Sequence, residues 1–267
     1  MEENRRIRLR PLALPAEHGG WALLFEPIAL GLLVAPSLVG VLISVAASGA
    51  FLARHPFKLA VVDWRRGRWV RRSGLAGRFA ILYLVLMTLA LALAIKFGGS
   101  ALLLPLILAA PMLLIQLSYD SLGRSRALVA ELAGSIAPGA VATAIAIAGN
   151  WPIAESYGLW VVLAARAAPT ILYLRARLRL LHHKPASPLP AIIAHVLATI
   201  IAVSLALGSI VPYPAIVAIS ILLLRAVIGF SESDKQITAK RLGLREVAFG
   251  ALTVFVLAIG YSMTDMR

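Results

Sequence analysis

Residues 54–97 read RHPFKLAVVDWRRGRWVRRSGLAGRFAILYLVLMTLALALAIKF. The first half carries eight Lys and Arg between Arg54 and Arg78, while Phe79 to Ile95 contains no charge at all. Seventeen helical residues rise about 25 Å, close to the ~30 Å hydrocarbon core of a bilayer. A basic block followed by such a run predicts a helix entering a membrane from its cytoplasmic side. Similar runs recur along the chain, and nine spans are predicted, at about 20–35, 38–53, 78–97, 101–118, 127–148, 157–174, 190–208, 212–230 and 245–263. Ala35-Pro36-Ser37 leaves only a tight turn inside the first pair, and Glu26-Pro27 interrupts its first member. A hairpin that enters and leaves on one side is therefore an alternative there.

The positions of the cations test this count. Twenty-two of the 26 Lys and Arg fall in the N-terminal tail and in segments 54–78, 118–126, 175–184 and 234–245, all on one side of a nine-span arrangement. Lys96 and Arg267 fall on the other side, and Arg166 and Arg225 lie within spans. The bias of Lys and Arg to cytoplasmic loops places the N-terminus inside and the C-terminus outside. The expected architecture is an all-α, polytopic bundle, with 1–19 as a cytoplasmic tail and 20–267 as a single transmembrane helical domain. The mixed apolar and basic stretch 54–78, with Trp64 and Trp69, is expected to form a short helix lying at the lipid headgroups.

Composition agrees. Sixty per cent apolar residues, 14% charged residues and a mean hydropathy of +0.88 lie outside the range of soluble domains. The net charge of +14 punctuates spans, so it points to orientation and anionic lipid and excludes nucleic acid as a partner. The absence of cysteine excludes disulfides and thiolate chemistry. The acidic, proline-containing N-terminus does not read as a cleaved signal peptide.

An ionisable residue inside a span costs about 2.5–3.5 kcal/mol on insertion scales and needs a partner or a purpose. Glu26, Glu131, Arg166, His195 and Arg225 are such residues. Arg166 begins a stripe at helical spacing, Thr170, Tyr173 and Arg177, beside Pro169, which predicts either a cavity open to the cytoplasm or an Arg paired with Glu26 or Glu131. Arg225 reads as snorkelling, with Glu232 on its face. His195 reads as a neutral imidazole bonded to a neighbouring helix. The cluster Pro15-Ala16-Glu17-His18-Gly19-Gly20-Trp21 is either a capped helix start or part of a site at the cytoplasmic mouth. His18 and Glu26, eight residues apart, lie about 80° apart around a helix and both reach the bundle interior.

No phosphate loop, zinc-binding helix, nucleophile elbow or His/Cys cluster with metal spacing occurs, so no metal and no cofactor is expected. The four aspartates, Asp63, Asp120, Asp234 and Asp265, form none of the close pairs used by Mg²⁺-bound diphosphates.

Pro15 to Ala22, Arg54-His55-Pro56, Ser118-Tyr119-Asp120 and Tyr173-Leu174-Arg175-Ala176-Arg177-Leu178-Arg179 together resemble the YwiC-like family of bacterial integral membrane proteins. The resemblance implies a multi-pass protein of the inner (plasma) membrane and carries no reaction with it. A more distant similarity is to the UbiA-type intramembrane prenyltransferases, which have nine helices and working loops after the second and sixth. Where those enzymes carry Asp-rich motifs for Mg²⁺ and a prenyl diphosphate, this chain has eight and four basic residues, with Asp63 the sole carboxylate. A shared scaffold does not by itself carry the activity across.

Arginine forks bind phosphate without a metal. The preferred reading is thus a cytoplasmic-facing basic pocket for an anionic lipid or prenyl-type compound. Its binding candidates are Arg54, His55, Lys58, Tyr119, Arg166, Tyr173, Arg175 and Arg177. Its acid or base candidates are Glu17, His18, Asp63 and Asp120, and Glu26, Glu131 and Arg225 are intramembrane polar partners. A UbiA-like transferase lacking the metal motifs belongs to this reading, and whether the protein is an enzyme is left open. The alternatives are a small-anion transporter or permease, and a non-catalytic membrane scaffold. Oligomeric state is not fixed by the residues.

Overall fold

A computed structural model describes residues 9–14, 18–67, 70–231 and 238–264, and the described residues contain helices but no strand. The helices are α1 (Arg10–Ala13), α2 (His18–Val34), α3 (Leu38–Arg65), α4 (Arg71–Gly98), α5 (Leu103–Ser121), α6 (Leu128–Ile136), α7 (Gly139–Ala148), α8 (Ile153–Leu181), α9 (Leu189–Leu207), α10 (Pro214–Ser231) and α11 (Ala239–Met263). Among the described residues, eight segments are long and apolar enough to cross a membrane, with α6 and α7 counted together, and α2 is a shorter apolar helix. The chain is therefore a multi-pass membrane protein built as a helical bundle. Exposed leucines such as Leu82, Leu89, Leu108 and Leu114 along α4 and α5 form an outer surface suited to lipid.

The expected fifth span is two helices. Pro138 has no N–H to give the carbonyl of Gly134, and the chain restarts as α7 one residue later. The break leaves the Ile136 carbonyl free to accept from the indole N–H of Trp160 at 2.8 Å. A side chain at Gly139 would collide with that ring. α7 is the hub of the bundle: it touches α2, α3, α5 and α8, and Gly139 through Ala146 are all buried.

The second correction concerns 54–78. Among the described residues of this segment there is no separate helix. α3 instead continues through Pro56 to Arg65, and α4 begins at Arg71, seven residues before the expected span. Ser73 Oγ donates to Asp63 Oδ2 at 2.7 Å and Arg72 Nη2 lies 3.2 Å from both carboxylate oxygens, so the two helix ends are tied together. Gly67, at φ +63°, makes the turn between them in a conformation that glycine adopts without strain. Trp64 is well exposed, and Trp69 lies outside the described residues.

Around the hub, α8, α9, α10 and α11 pack in sequence and close back onto α2. On the other side α3 and α4 form a long hairpin, while α5 packs on α6 and α7. α2 and α7 therefore form a wall shared by two halves. One half encloses a cavity, and the other a cluster of buried charges.

Candidate functional site

The cavity has a volume of about 470 Å³, within the range of ligand pockets, and its walls come from α2 through α7. It exists because facing positions carry small side chains. Ala46, Ala50 and Ala53 recur on one face of α3, and Ala109, Ala137 and Ala140 face them from α5, the α6–α7 break and α7. On α3 the lining runs from Ile43 to Phe57, about 21 Å at 1.5 Å per residue. Almost all of it is apolar, the exceptions being Arg54 and Gln116 at the basic end.

Those two residues are organised by Asp120. Arg54 Nε lies 2.6 Å from Asp120 Oδ2, and the Asp120 side chain is almost fully buried. Turned to suit this network, the Gln116 amide oxygen accepts from Arg54 Nη1 and Nη2 at 3.1 and 3.2 Å. Gln116 itself lies against Gly134 of α6, where any β-carbon would overlap its amide. The neck of the cavity is thus polar, with its charge balanced. One turn further along α3, Lys58 Nζ donates to the neutral Ser125 hydroxyl at 3.1 Å. Arg175 of α8, outside the lining of the cavity, pairs with Glu131 Oε2 at 2.5 Å and donates to the Arg126 carbonyl at 2.8 Å.

The second arrangement is a four-charge cluster. Arg166 Nη1 lies 2.7 Å from Glu26 Oε2, and Arg166 Nη2 donates to the Glu246 carbonyl at 3.3 Å. Arg225 Nη2 lies 3.1 Å from Glu246 Oε2 and donates to Thr170 Oγ1 at 3.1 Å. The Arg225 guanidinium also sits 4.2 Å from the centre of the Tyr173 ring. All four charged residues are buried, and the cluster is neutral in sum. Gly250 of α11 makes room for it, since a β-carbon there would overlap both the Glu26 carboxylate and the Arg166 guanidinium. Both members of the first pair lie near mid-helix prolines, Pro27 in α2 and Pro169 in α8.

The sequence candidates divide between these places. Arg54 lines the neck of the cavity and is paired with Asp120, Lys58 lies one turn further along α3, and Tyr119 is half-buried beside Asp120, whereas Arg175 and Glu131 pair with each other outside the lining. His55 Nε2 lies 3.0 Å from the Pro11 carbonyl, linking α3 to α1. Asp63 ties α3 to α4, as described above. The stripe Arg166, Thr170, Tyr173 and Arg177 is buried along its whole length, as its spacing implied, but it lies outside the lining of the cavity. Its space is filled by Arg225 and by Phe230, whose ring is 5.1 Å from Tyr173. Glu26 is the partner of Arg166, the pairing that the sequence offered beside Glu131. Arg225 is held inside rather than snorkelling, and Glu232 lies outside the described residues. His195 bonds the Ala191 carbonyl of its own helix at 2.7 Å, in place of a neighbouring helix. Glu17 and the side chain of His18 lie outside the described residues.

Glu246 is the residue that sequence reasoning missed. It stands one position after Arg245 at the start of the expected ninth span, where it reads as an interfacial acid. α11 begins six residues earlier than that span, at Ala239, and this carries Glu246 into the bundle. Gln116 was also missed, being an uncharged amide in an apolar run. Among the described residues, no group of three or more His, Cys, Asp or Glu is placed to hold a metal ion.

The family model for YwiC-like protein matches residues 14–146. Every residue that lines the cavity lies inside the matched segment, whereas Arg166, Arg225 and Glu246 lie beyond it. No curated protein and no solved structure matches the chain.

Proposed function

We propose that this chain, which belongs to the YwiC-like family, binds an amphiphilic membrane lipid with its apolar chain in the cavity and its anionic head at the basic rim. The observation that carries this reading is the form of the cavity: about 470 Å³ of almost wholly apolar space that ends on Arg54 and Gln116. In the bacterial inner membrane, with the basic face toward the cytoplasm, that rim lies at headgroup level. Lipid tails are already in an apolar medium, so entering the cavity gains little hydrophobic free energy. Discrimination then rests on shape and on the head. Lys58, whose described contact is a neutral hydroxyl, supplies a charge for an anionic group, while the Arg54–Asp120 pair offers a neutral hydrogen-bonding neck.

Binding, and not transfer, is the extent of this reading. Asp120 is engaged by Arg54, and Asp63 is occupied in tying α3 to α4. A permease reading draws on Arg166, whose guanidinium is taken up by Glu26 and the Glu246 carbonyl.

The test is native mass spectrometry of protein purified from its membranes. Wild-type protein is expected to retain a lipid, Ala50→Phe to lose it by filling the cavity, and Lys58→Ala to retain less of its anionic forms. Retention no greater than on an unrelated membrane protein overturns the reading.

A further inference from the structure

Among the walls of the cavity, α4 and α5 pack little against each other. α4 and α5 both line the cavity, yet each packs elsewhere: α4 along α3, and α5 along α6 and α7. The short link 99–102 joins their ends, and Gly98 packs against Val39 and Leu102. Below that link, Leu84 of α4 and Leu113 and Leu117 of α5 line the cavity and are themselves exposed. Leu84 and Leu117 each lie fourteen residues from the linked ends Gly98 and Leu103, about 21 Å down their helices, so they stand at matching depth. Leu24 and Ile43, by contrast, line the cavity from within and are buried. A seam of leucines at membrane depth faces hydrocarbon, not water.

The size of the cavity restricts what passes this seam. A cavity of about 470 Å³ lies in the lower half of the roughly 300–1,000 Å³ range of ligand pockets. A cavity of that size, drawn out along α3, suits one aliphatic or isoprenoid chain better than two. The lining along α3, about 21 Å long, exceeds the depth of one leaflet, half of the ~30 Å core. The polar neck lies at the basic end, so the chain extends from there toward the middle of the membrane.

We infer that the lipid bound in the cavity is a single-chain amphiphile that enters sideways from the inner leaflet, through the seam between α4 and α5. This inference rests on the lipid-binding reading above and adds to it the class of the occupant and its route. The chain leaves the leaflet between Leu84 and Leu117, its tail runs past Ala50 toward Ile43, and its head stays beside Arg54 and Lys58.

The inference is tested by photolabelling the full chain in phosphatidylglycerol vesicles. Two probes share one headgroup and one photoreactive chain, a lysophosphatidylglycerol and a phosphatidylglycerol, and the labelled residues are mapped. The single-chain probe is expected to label Leu24 and Ile43 at least tenfold more than the two-chain probe, while both label the lipid-facing Leu82. Narrowing the seam with Leu84→Trp and Leu117→Trp together is expected to cut interior labelling at least tenfold and to leave Leu82 labelling unchanged, which also reports a folded bundle. Equal interior labelling by both probes overturns the single-chain assignment. Interior labelling that survives the paired tryptophans overturns the seam as the route. If neither probe reaches Leu24 or Ile43 in the wild type, the lipid-binding reading itself fails, a result distinct from the other two.

Discussion

Glu26 and Arg166, carried by α2 and α8, meet inside the bundle with Oε2 2.7 Å from Nη1. The pair joins the wall of the cavity to the opposite half, because Leu23 and Leu24 of the same α2 line the cavity from its other face. Breaking a buried pair by removing one partner costs about 3–5 kcal/mol, since it strands the other charge. Arg166→Met is therefore expected to lower the melting temperature in detergent sharply. The double variant Glu26→Leu with Arg166→Met is expected to recover most of that loss, and a double-mutant cycle on thermal unfolding measures the coupling. Additive losses would show that the pair contributes little.

Gly250 is expected to tolerate no side chain. An added methyl group falls on the Glu26 carboxylate and the Arg166 guanidinium, which are themselves held by a second pair. Gly250→Ala should destabilise by about 1–3 kcal/mol, as overpacking does. In an exposed part of a helix the same change would stabilise by about 1 kcal/mol, so the sign of the shift in melting temperature decides the matter.

At the cavity neck, Asp120 neutralises Arg54 across 2.6 Å. Asp120→Asn leaves the guanidinium uncompensated beside the bound head. The expected outcome is a higher ratio of anionic to neutral lipid retained, read by native mass spectrometry. Lys58→Ala is expected to shift the ratio the other way, and more strongly at low ionic strength.

The absence of cysteine makes topology directly measurable. Single cysteines at Arg71 and Arg179 are expected to react with an impermeant maleimide from the cytoplasmic side, and cysteines at Ser100 and Thr264 from the outside. Labelling of Arg71→Cys and Arg179→Cys from opposite sides would break the assignment of the basic rim to the inner leaflet.

The helical, multi-pass class and the order of the apolar segments were legible because apolar runs and alternating blocks of cations are both written along the chain. Their number was not: eight segments of the described residues, against nine expected, reach spanning length, and one of these is broken at Pro138. The buried stripe from Arg166 to Arg177 was legible for a similar reason, as its spacing places it on one face. Helix ends were less so. Apolar patterning marks where lipid ends, not where hydrogen bonding ends, and α3 continues for twelve residues past the expected span because Asp63, Arg72 and Ser73 bind its end to α4. The partner of Arg225 escaped notice since Glu246 is 21 positions away and reaches it only by the packing of α10 on α11. The cavity was least legible of all. It is made by what is missing at Ala46, Ala50, Ala53, Ala109 and Ala140, and alanines in a spanning helix more often mark close packing than a void.

An experimentally determined structure in a lipid nanodisc tests the central claim most directly. The account predicts elongated density between α3 and α5, ending beside Arg54 and Gln116, with α4 and α5 parted below their link. A cavity closed by contact of Leu84 with Leu117, with no density inside it, would contradict it.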